Sequence, residues 1–184
     1  MKKYFNKMDT LGKELEKKDK EEANALEIFK VEKEVAGAID ARKQTGITPE
    51  SLHKRGEKTA WERLELLVDA GTFLPLNSLY EPWDNPEGTT GVITGLGKIN
   101  NRYASIIASD NKVLAGAWIP GQAEHVFRAQ DIAESLNIPL VWILNCSGVK
   151  LTEQDKVYAG RRSGGRTFFR HGELIQRGIP VIVG

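Results

Sequence analysis

The chain has 184 residues, with 26 Lys and Arg against 25 Asp and Glu, for a net charge of +1. A charge so near balance excludes a general attraction to nucleic acid or to an anionic membrane surface, and no apolar run approaches the roughly 20 residues that span a bilayer. One cysteine excludes an intrachain disulfide framework and fits a reducing compartment.

The first residues, MKKYFNKMDTLGKELEKK, are basic but have no apolar core, so they do not read as a secretory signal. The expected location is the cytoplasm. From about residue 10 to 44 the chain is rich in Lys, Glu, Ala and Leu and holds no proline. Leu11, Leu15, Ala25, Leu26, Phe29, Ala36 and Ile39 recur at helical spacing and predict one long helix. Its stripe is interrupted by Lys18 and Glu22, which describes a solvated helix packing on a body elsewhere, or a helix that meets a partner. Thr48 and Pro49 predict the cap and first position of a second, short helix. A third begins near Thr59, with Trp61, Leu64, Leu67 and Val68 on one face and Gly71 as its stop. The stretch NSLYEPWDNPEGTTG then reads as a long loop, of the kind that marks a functional segment or a domain seam.

After this loop the period changes from helix to strand. GVITGLGKI and YASIIASD read as two strands joined at Asn100-Asn101, residues that tolerate the left-handed turn conformation. KVLAGAWIP reads as a further strand broken at Gly116. Pro120 to Leu136 predicts a helix with Val126, Ala129, Ala133 and Leu136 on its inner face, ended by Asn137. IPLVWILN predicts a buried strand, Ser163 to Arg177 a helix stopped by Gly178, and IPVIVG another buried strand. Hairpin, helix, strand, helix, strand describes an α/β layered fold with helical crossovers between parallel strands. Ligands of such sheets bind beyond the carboxyl ends of the strands. The chain stops at one such end, Gly184, so the sequence is expected to be truncated.

Several familiar patterns fail. GVITGLGKI lacks the spacing and the Ser/Thr of a phosphate loop and lies in a hairpin. His53, His125 and His171 have no acidic or histidine neighbours at metal spacing, so no metal site is expected. No Met-Lys-Met biotinylation sequence occurs. Cys146, at the break WILNCSGVKL, has no local base, and a packed small thiol is the simpler reading than a nucleophile. Arg162, Arg166 and Arg170 stand four apart, on what reads as one helix face that is salt-bridged, meets acids at a dimer seam or recognises an anionic substrate.

Three segments in order carry a resemblance. AWERLELLVDAGTF is similar to the pattern A-x-E-R-(I/L)-x-x-L-x-D-x-G-(T/S)-F. The stretch from Gly91 to Ile143 is similar to a strand hairpin, a small-residue turn at Gly116-Ala117 and an A-E-x-x-x-R-A-x-D-x-A helix. LNCSGVKLTEQ stands where S-G-G-A-R-(I/L)-x-E is usual. Together they resemble the N-terminal half of the biotin-dependent acyl-CoA carboxyltransferases of the crotonase-like superfamily, from about residue 55 onward. Val149-Lys150 in place of Gly/Ala-Arg, with the charged N-terminal helix, is most similar to the decarboxylase branch of that family, the α subunits acting on glutaconyl-CoA.

The resemblance implies a crotonase-like (ClpP/crotonase) fold of repeated β-β-α units preceded by helices. Residues 1–50 are then a charged helical segment, and residues 51–184 are the first part of the carboxyltransferase domain. It implies transfer of the carboxyl group of glutaconyl-CoA to biotin, leaving crotonyl-CoA. Biotin is carried by a separate subunit and not bound covalently here. The partners implied are the acyl-CoA, the biotin carrier, a membrane sodium-pump subunit that holds the chain at the inner face of the membrane, and a second copy in a dimer. No nucleic acid is expected. The alternatives are a β subunit of a propionyl-CoA or methylcrotonyl-CoA carboxylase, or a non-catalytic assembly module.

For the chemistry, the Val149 N–H is expected to donate to the thioester oxygen, with Ser147 and Gly148 shaping the turn. Arg55 and Lys58 are expected at the CoA phosphates, and Gly116, Ala117 and Lys150 at the substrate. A second oxyanion donor is expected in a Gly-Gly loop after the last strand, so the chain by itself is expected to be inactive.

Overall fold

The structure, a computed structural model, describes residues 18–80, 87–158 and 160–184, and side chains from residue 23 onward. The predicted helical positions Leu11 and Leu15, and the middle of the 77–91 loop, lie outside the described residues. The chain divides into two units, one ending at Gly37 and the other running from Ala38 to Gly184.

The first helix, α1 (Lys18–Lys43), runs as one element over the described part of the predicted range, and its Leu26, Phe29, Val31 and Val35 side chains are exposed. In the second unit come α2 (Pro49–His53) and α3 (Ala60–Leu67). Thr48 occupies the cap position of α2, but its hydroxyl meets Ser51 Oγ at 3.1 Å and caps no backbone N–H. Thr59 caps α3 through a full capping box, its Oγ1 accepting from the Glu62 N–H and the Glu62 carboxylate accepting from the Thr59 N–H. The His53 ring and that backbone bond hold the Glu62 carboxyl down at about 2. The helix ends at Leu67 and not at Gly71, because Val68 has turned to extended backbone and Asp69 leaves to serve the hairpin. The Asp69 carboxylate accepts from the N–H groups of Asn100 and Asn101 at 3.1 and 2.7 Å, fixing the predicted turn with both asparagines at positive φ.

A five-stranded sheet follows, in the order β1 (Leu74–Leu76), β2 (Val92–Ile99), β3 (Arg102–Ser109), β4 (Leu140–Ile143) and β5 (Val181–Val183). The first three strands are antiparallel and the last two join in parallel. Strand β1 was hidden in the sequence by its length and by Pro75. The parallel steps are made through α4 (Gln122–Leu136) and α6 (Gly164–Gln176), with a short α5 (Gln154–Tyr158) between β4 and α6. Alternation along β3 divides the core. Ala104, Ile106 and Ala108 face Leu64 and Ala60 of α3, and Ile107 faces Val126, Ala129 and Ala133 of α4 with Trp142 and Leu174.

Three expectations are corrected. KVLAGAWIP is no strand: Leu114 and Ala115 take left-handed backbone in a tight 3-10 turn over Leu114–Gly116, and only Trp118 makes a sheet-like bridge, to Val149. Leu136 is exposed, being the last residue of α4. The IPVIVG strand is not buried: β5 is an edge strand, and Ile182 and Val183 are at least half exposed.

Candidate functional site

Two loops leave the carboxyl ends of β3 and β4 and zip together. The first runs from Asp110 to Gly121. Its start is anchored by buried polar side chains, which must find partners when removed from water. Asp110 Oδ1 accepts from the Lys112 N–H at 3.0 Å, and burial raises the Asp110 carboxyl above its ordinary range. Asn111 Nδ2 donates to the Lys58 carbonyl at 3.0 Å, and Lys112 Nζ donates to the Lys43 carbonyl. The Lys112 carbonyl accepts from the Ile47 N–H at 3.0 Å. The segment 43–58, which carries Arg55, is thereby sewn to this loop.

The second loop is the WILNCSGVKL stretch. The Trp118 N–H donates to the Gly148 carbonyl at 2.8 Å and the Lys150 N–H donates to the Trp118 carbonyl at 3.0 Å. Ser147 Oγ donates to the Leu114 carbonyl at 3.1 Å. Gly116 sits at φ +77, and a Cβ there would come within 2.0 Å of the Asn145 carbonyl oxygen. The turn therefore requires glycine both for its backbone and for its contact. Gly148 is at φ +110 with open space around it, and its N–H meets Cys146 Sγ at 3.3 Å.

This ladder spends the amides on either side of Val149 and leaves Val149 itself free. Among the described residues its N–H has no acceptor. It borders an apolar crevice of about 170 Å³ whose lining includes Trp118, Cys146, Val157, Tyr158, Gly164 and Phe168. An oriented N–H on a half-buried loop beside an apolar crevice is the arrangement that receives a polarised carbonyl oxygen.

The predicted residues are largely brought together. Ser147, Gly148, Val149, Gly116 and Ala117 form the zipped loops. Arg55 lines an open groove with Glu87, Lys112, Leu114 and Ala115 behind the first loop. Lys58 is exposed and does not line that groove; its backbone carbonyl, taken by Asn111, is what the fold uses. Lys150 Nζ lies 2.8 Å from Glu87 Oε1 and 3.0 Å from Glu153 Oε2, and the two carboxylates, Glu87 first, hold the ammonium above its ordinary range. Cys146 is exposed, not packed, because the strand has already ended and its thiol closes the turn onto Gly148.

Of the arginines, Arg162 precedes α6 and pairs with Glu124 at 2.7 Å. Arg170 is nearly buried among Asp131, Glu134 and Glu173, and Arg166 reaches Glu173 at 3.4 Å. The salt-bridged face is thus present, although Arg162 stands outside the helix.

Sequence reasoning did not find Trp118, Asp110, Asn111 or Glu87. The polar run Asp110-Asn111-Lys112 directly after a buried strand was a readable signal for the first loop. Glu87 lies within the Pro/Gly-rich 77–91 loop and had none.

Compared with known proteins, residues 51–184 match the family model described as the carboxyl transferase domain. The whole chain is 49% identical to the glutaconyl-CoA decarboxylase subunit alpha of Acidaminococcus fermentans, covering 31% of that protein. It is 33% identical over 132 residues to the methylcrotonoyl-CoA carboxylase beta chain of Dictyostelium discoideum, covering 70% of this chain and 22% of that one. Among solved structures, the beta subunit of geranyl-CoA carboxylase from P. aeruginosa superposes with a TM-score of 0.64 at 26% identity, over 88% of this chain and 29% of that one. The chain thus spans about a third or less of the length of these relatives, and its sheet is the crotonase-like α/β fold that the sequence resemblance implied.

Proposed function

Because the chain belongs to the carboxyl transferase domain family, we propose that it forms part of a biotin-dependent acyl-CoA carboxyltransferase that decarboxylates glutaconyl-CoA. The observation that carries this reading is the free Val149 N–H beside the apolar crevice, in a chain 49% identical over its full length to a glutaconyl-CoA decarboxylase alpha subunit.

The chemistry asks for such a donor. Breaking the bond to the γ-carboxylate leaves an electron pair that delocalises through the adjacent double bond onto the thioester oxygen. A fixed N–H at that oxygen lowers the barrier by about 2.7–4 kcal/mol in comparable sites. The γ-carbon then takes a proton, which gives crotonyl-CoA. Biotin, on a separate carrier subunit, would accept the carboxyl group on a ureido nitrogen, whose released proton balances the one taken up at the γ-carbon. The residues present suit its visit, since the Val149 loop is open to solvent and its crevice is walled by Trp118, Tyr158 and Phe168. Ser147 and Gly148 shape the turn, and Gly116 and Ala117 let the two loops approach. Arg55 supplies positive charge to the groove behind the first loop, Lys58 is exposed outside it, both are offered to the CoA phosphates, and Lys150 holds the loop to Glu87.

The same reading has the chain act in a cytoplasmic subunit, as a dimer, docked at the inner face of the membrane through a sodium-pump partner. No helix among the described residues is long and apolar enough to cross a membrane. A carboxylase β subunit for methylcrotonyl-CoA is the second reading, supported by the 33% identity to such a chain.

Val149→Pro tests the donor cleanly. The bridge to Trp118 uses the Gly148 carbonyl and the Lys150 N–H, so proline at 149 removes no hydrogen bond of the protein. In the full-length protein, assayed with glutaconyl-CoA and free biotin, turnover is expected to fall at least about tenfold in a variant that stays folded, with any loss of stability confined to the packing of Val149 on the core. Unchanged kinetics would refute the assignment. Faster turnover of methylcrotonyl-CoA in the carboxylation direction would favour the second reading.

A further inference from the structure

We propose that the face of α1 carrying Ile28, Val31 and Val35 is a docking seam for a helix of another protein, one whose own apolar line is flanked by lysine or arginine. The proposal goes beyond the acyl-CoA reading above and stands whether or not that reading holds.

At about 100° per residue, Ile28, Val31 and Val35 fall on one line along α1, with the three- and four-residue steps of a coiled-coil seam. They are 59, 57 and 41% exposed. Ile and Val form helix less readily than the Ala, Glu and Lys that fill most of α1, so helix formation alone does not account for their recurrence on one line. Glu32 borders the line on one side, and Glu27 and Glu34 border it on the other. Glu27 pairs with Lys30 at 2.7 Å, whereas Glu32 and Glu34 have no ion pair among the described residues. The seam is therefore apolar with an acidic rim. The opposite face of α1 offers no second seam, because Lys33 stands between Leu26 and Phe29 around the helix.

The helix is an addition to the carboxyl transferase domain, which matches residues 51–184 and so begins after α1 has ended. The likeness to the glutaconyl-CoA decarboxylase alpha subunit runs over the whole chain, while that to the methylcrotonoyl-CoA carboxylase beta chain extends over 132 residues, about the length of the domain. Charge then decides among the occupants of the seam. A second copy of α1 laid on it in parallel would bring Glu27 against Glu32, and one laid antiparallel would bring Glu32 against Glu32, so the rim opposes self-pairing. An anionic lipid surface is opposed by the same carboxylates. A partner helix with Lys or Arg beside its apolar line meets the rim with opposite charge and covers Ile28, Val31 and Val35 in the same step.

The test titrates the full-length protein with two fluorescein-labelled helical peptides, read by fluorescence anisotropy. Both carry Ile and Leu along a heptad seam; one has Lys at every flanking position and the other Glu. The Lys peptide is expected to bind about tenfold or more tightly than the Glu peptide, with the preference shrinking as salt is added. Ile28→Gln/Val35→Gln keeps every charge and the helix propensity, and should weaken the Lys peptide about tenfold or more. Glu32→Lys/Glu34→Lys should turn the preference toward the Glu peptide. Both variants lie outside the Val149 site and should turn over substrate as the wild type does. Equal binding of the two peptides, binding that survives the Gln substitutions, or no binding at all would overturn the proposal. So would a Gln variant that sediments as a smaller species than the wild type, which would give the seam to a second copy, or one that alone loses binding to phosphatidylserine vesicles, which would give it to a membrane. If the wild type turns over no glutaconyl-CoA, the functional reading fails while the peptide titration still decides the seam.

Discussion

Gly116→Ala is the most informative perturbation of the zipped loops, because the structure separates its two costs. The residue sits at φ +77, and a left-handed alanine costs about 1–2 kcal/mol. A Cβ there would also lie 2.0 Å from the Asn145 carbonyl oxygen, backbone that no rotamer change can move aside. Ordinary contact needs more than about 3 Å, so the loops must part by about 1 Å, an overpacking cost of about 1–3 kcal/mol. Gly148→Ala is the matched control. It is strained at φ +110 but meets nothing within 4 Å, so it bears the backbone cost without the clash. In urea unfolding of the full-length protein, Gly116→Ala should therefore lose about 2–5 kcal/mol, and more than Gly148→Ala by the contact term. Turnover of Gly116→Ala should fall about a hundredfold, the scale for a 1 Å misplacement near the chemistry. If Gly148→Ala proves the more damaging to stability, the contact argument is wrong. If Gly116→Ala is unstable but fully active, the two loops do not position one donor.

The remaining predictions concern His125 and Cys146. His125 is buried, with Nδ1 2.7 Å from Thr90 Oγ1, and burial pushes its pKa down to about 4, against about 6.5 when unfolded. A depressed pKa means that its neutral form contributes stability fully above about pH 6.5, lost as pH falls toward 4. Urea unfolding at pH 5 should show about 2 kcal/mol less stability from this site than at pH 7.5, and His125→Gln should remove that share of the pH dependence. An unchanged slope in the variant would place the titration elsewhere. Cys146→Ala should retain most of the turnover, since the exposed thiol serves only to close a turn; complete loss in a folded variant would restore the nucleophile.

What the sequence disclosed follows from how local each signal is. The Asn100-Asn101 hairpin, the α4 stripe of Val126, Ala129 and Ala133, and the stops at Asn137 and Gly178 are set within a few residues, and they stand where periodicity and turn chemistry put them. The failures are tertiary. KVLAGAWIP has the composition of a strand, but its backbone is bent by a partner loop some thirty residues away, through Gly116 on Asn145 and Ser147 on Leu114. IPVIVG reads as buried because its residues are apolar, and in these 184 residues β5 is paired on one side only, with β4. Likewise the break after β4 in WILNCSGVKL was legible as a candidate loop, but its registration on Trp118 was not. That register decides which amide is free, and it depends on a backbone pairing with no side-chain signature.

The register also bears on where the electrostatic stabilisation at this loop comes from. Lys150 is the nearest formal charge, and alone it would favour a developing oxyanion. It stands between Glu87 and Glu153, and Glu153 is shared with Lys156, so the four side chains together carry no net charge. Through space that cluster offers a thioester oxygen no net attraction. The Val149 N–H, by contrast, is aimed by two backbone bonds, needs no reorientation as charge develops, and has no protein acceptor to give up among the described residues. Native proteins pair more than about nine in ten of their buried backbone N–H groups. The Val149 amide instead lies on a loop open to solvent, so a substrate oxygen replaces water there without breaking a hydrogen bond of the protein. In the proposed reading the ion pairs hold the loop in register, and the amide does the stabilising. This division predicts that Lys150→Met lowers turnover by loosening the loop, with a matching loss of stability, whereas Val149→Pro lowers turnover by more than its loss of core packing accounts for. If Lys150→Met abolished activity in a protein as stable as the wild type, the charge itself would be acting on the substrate, and the amide would not be the principal donor.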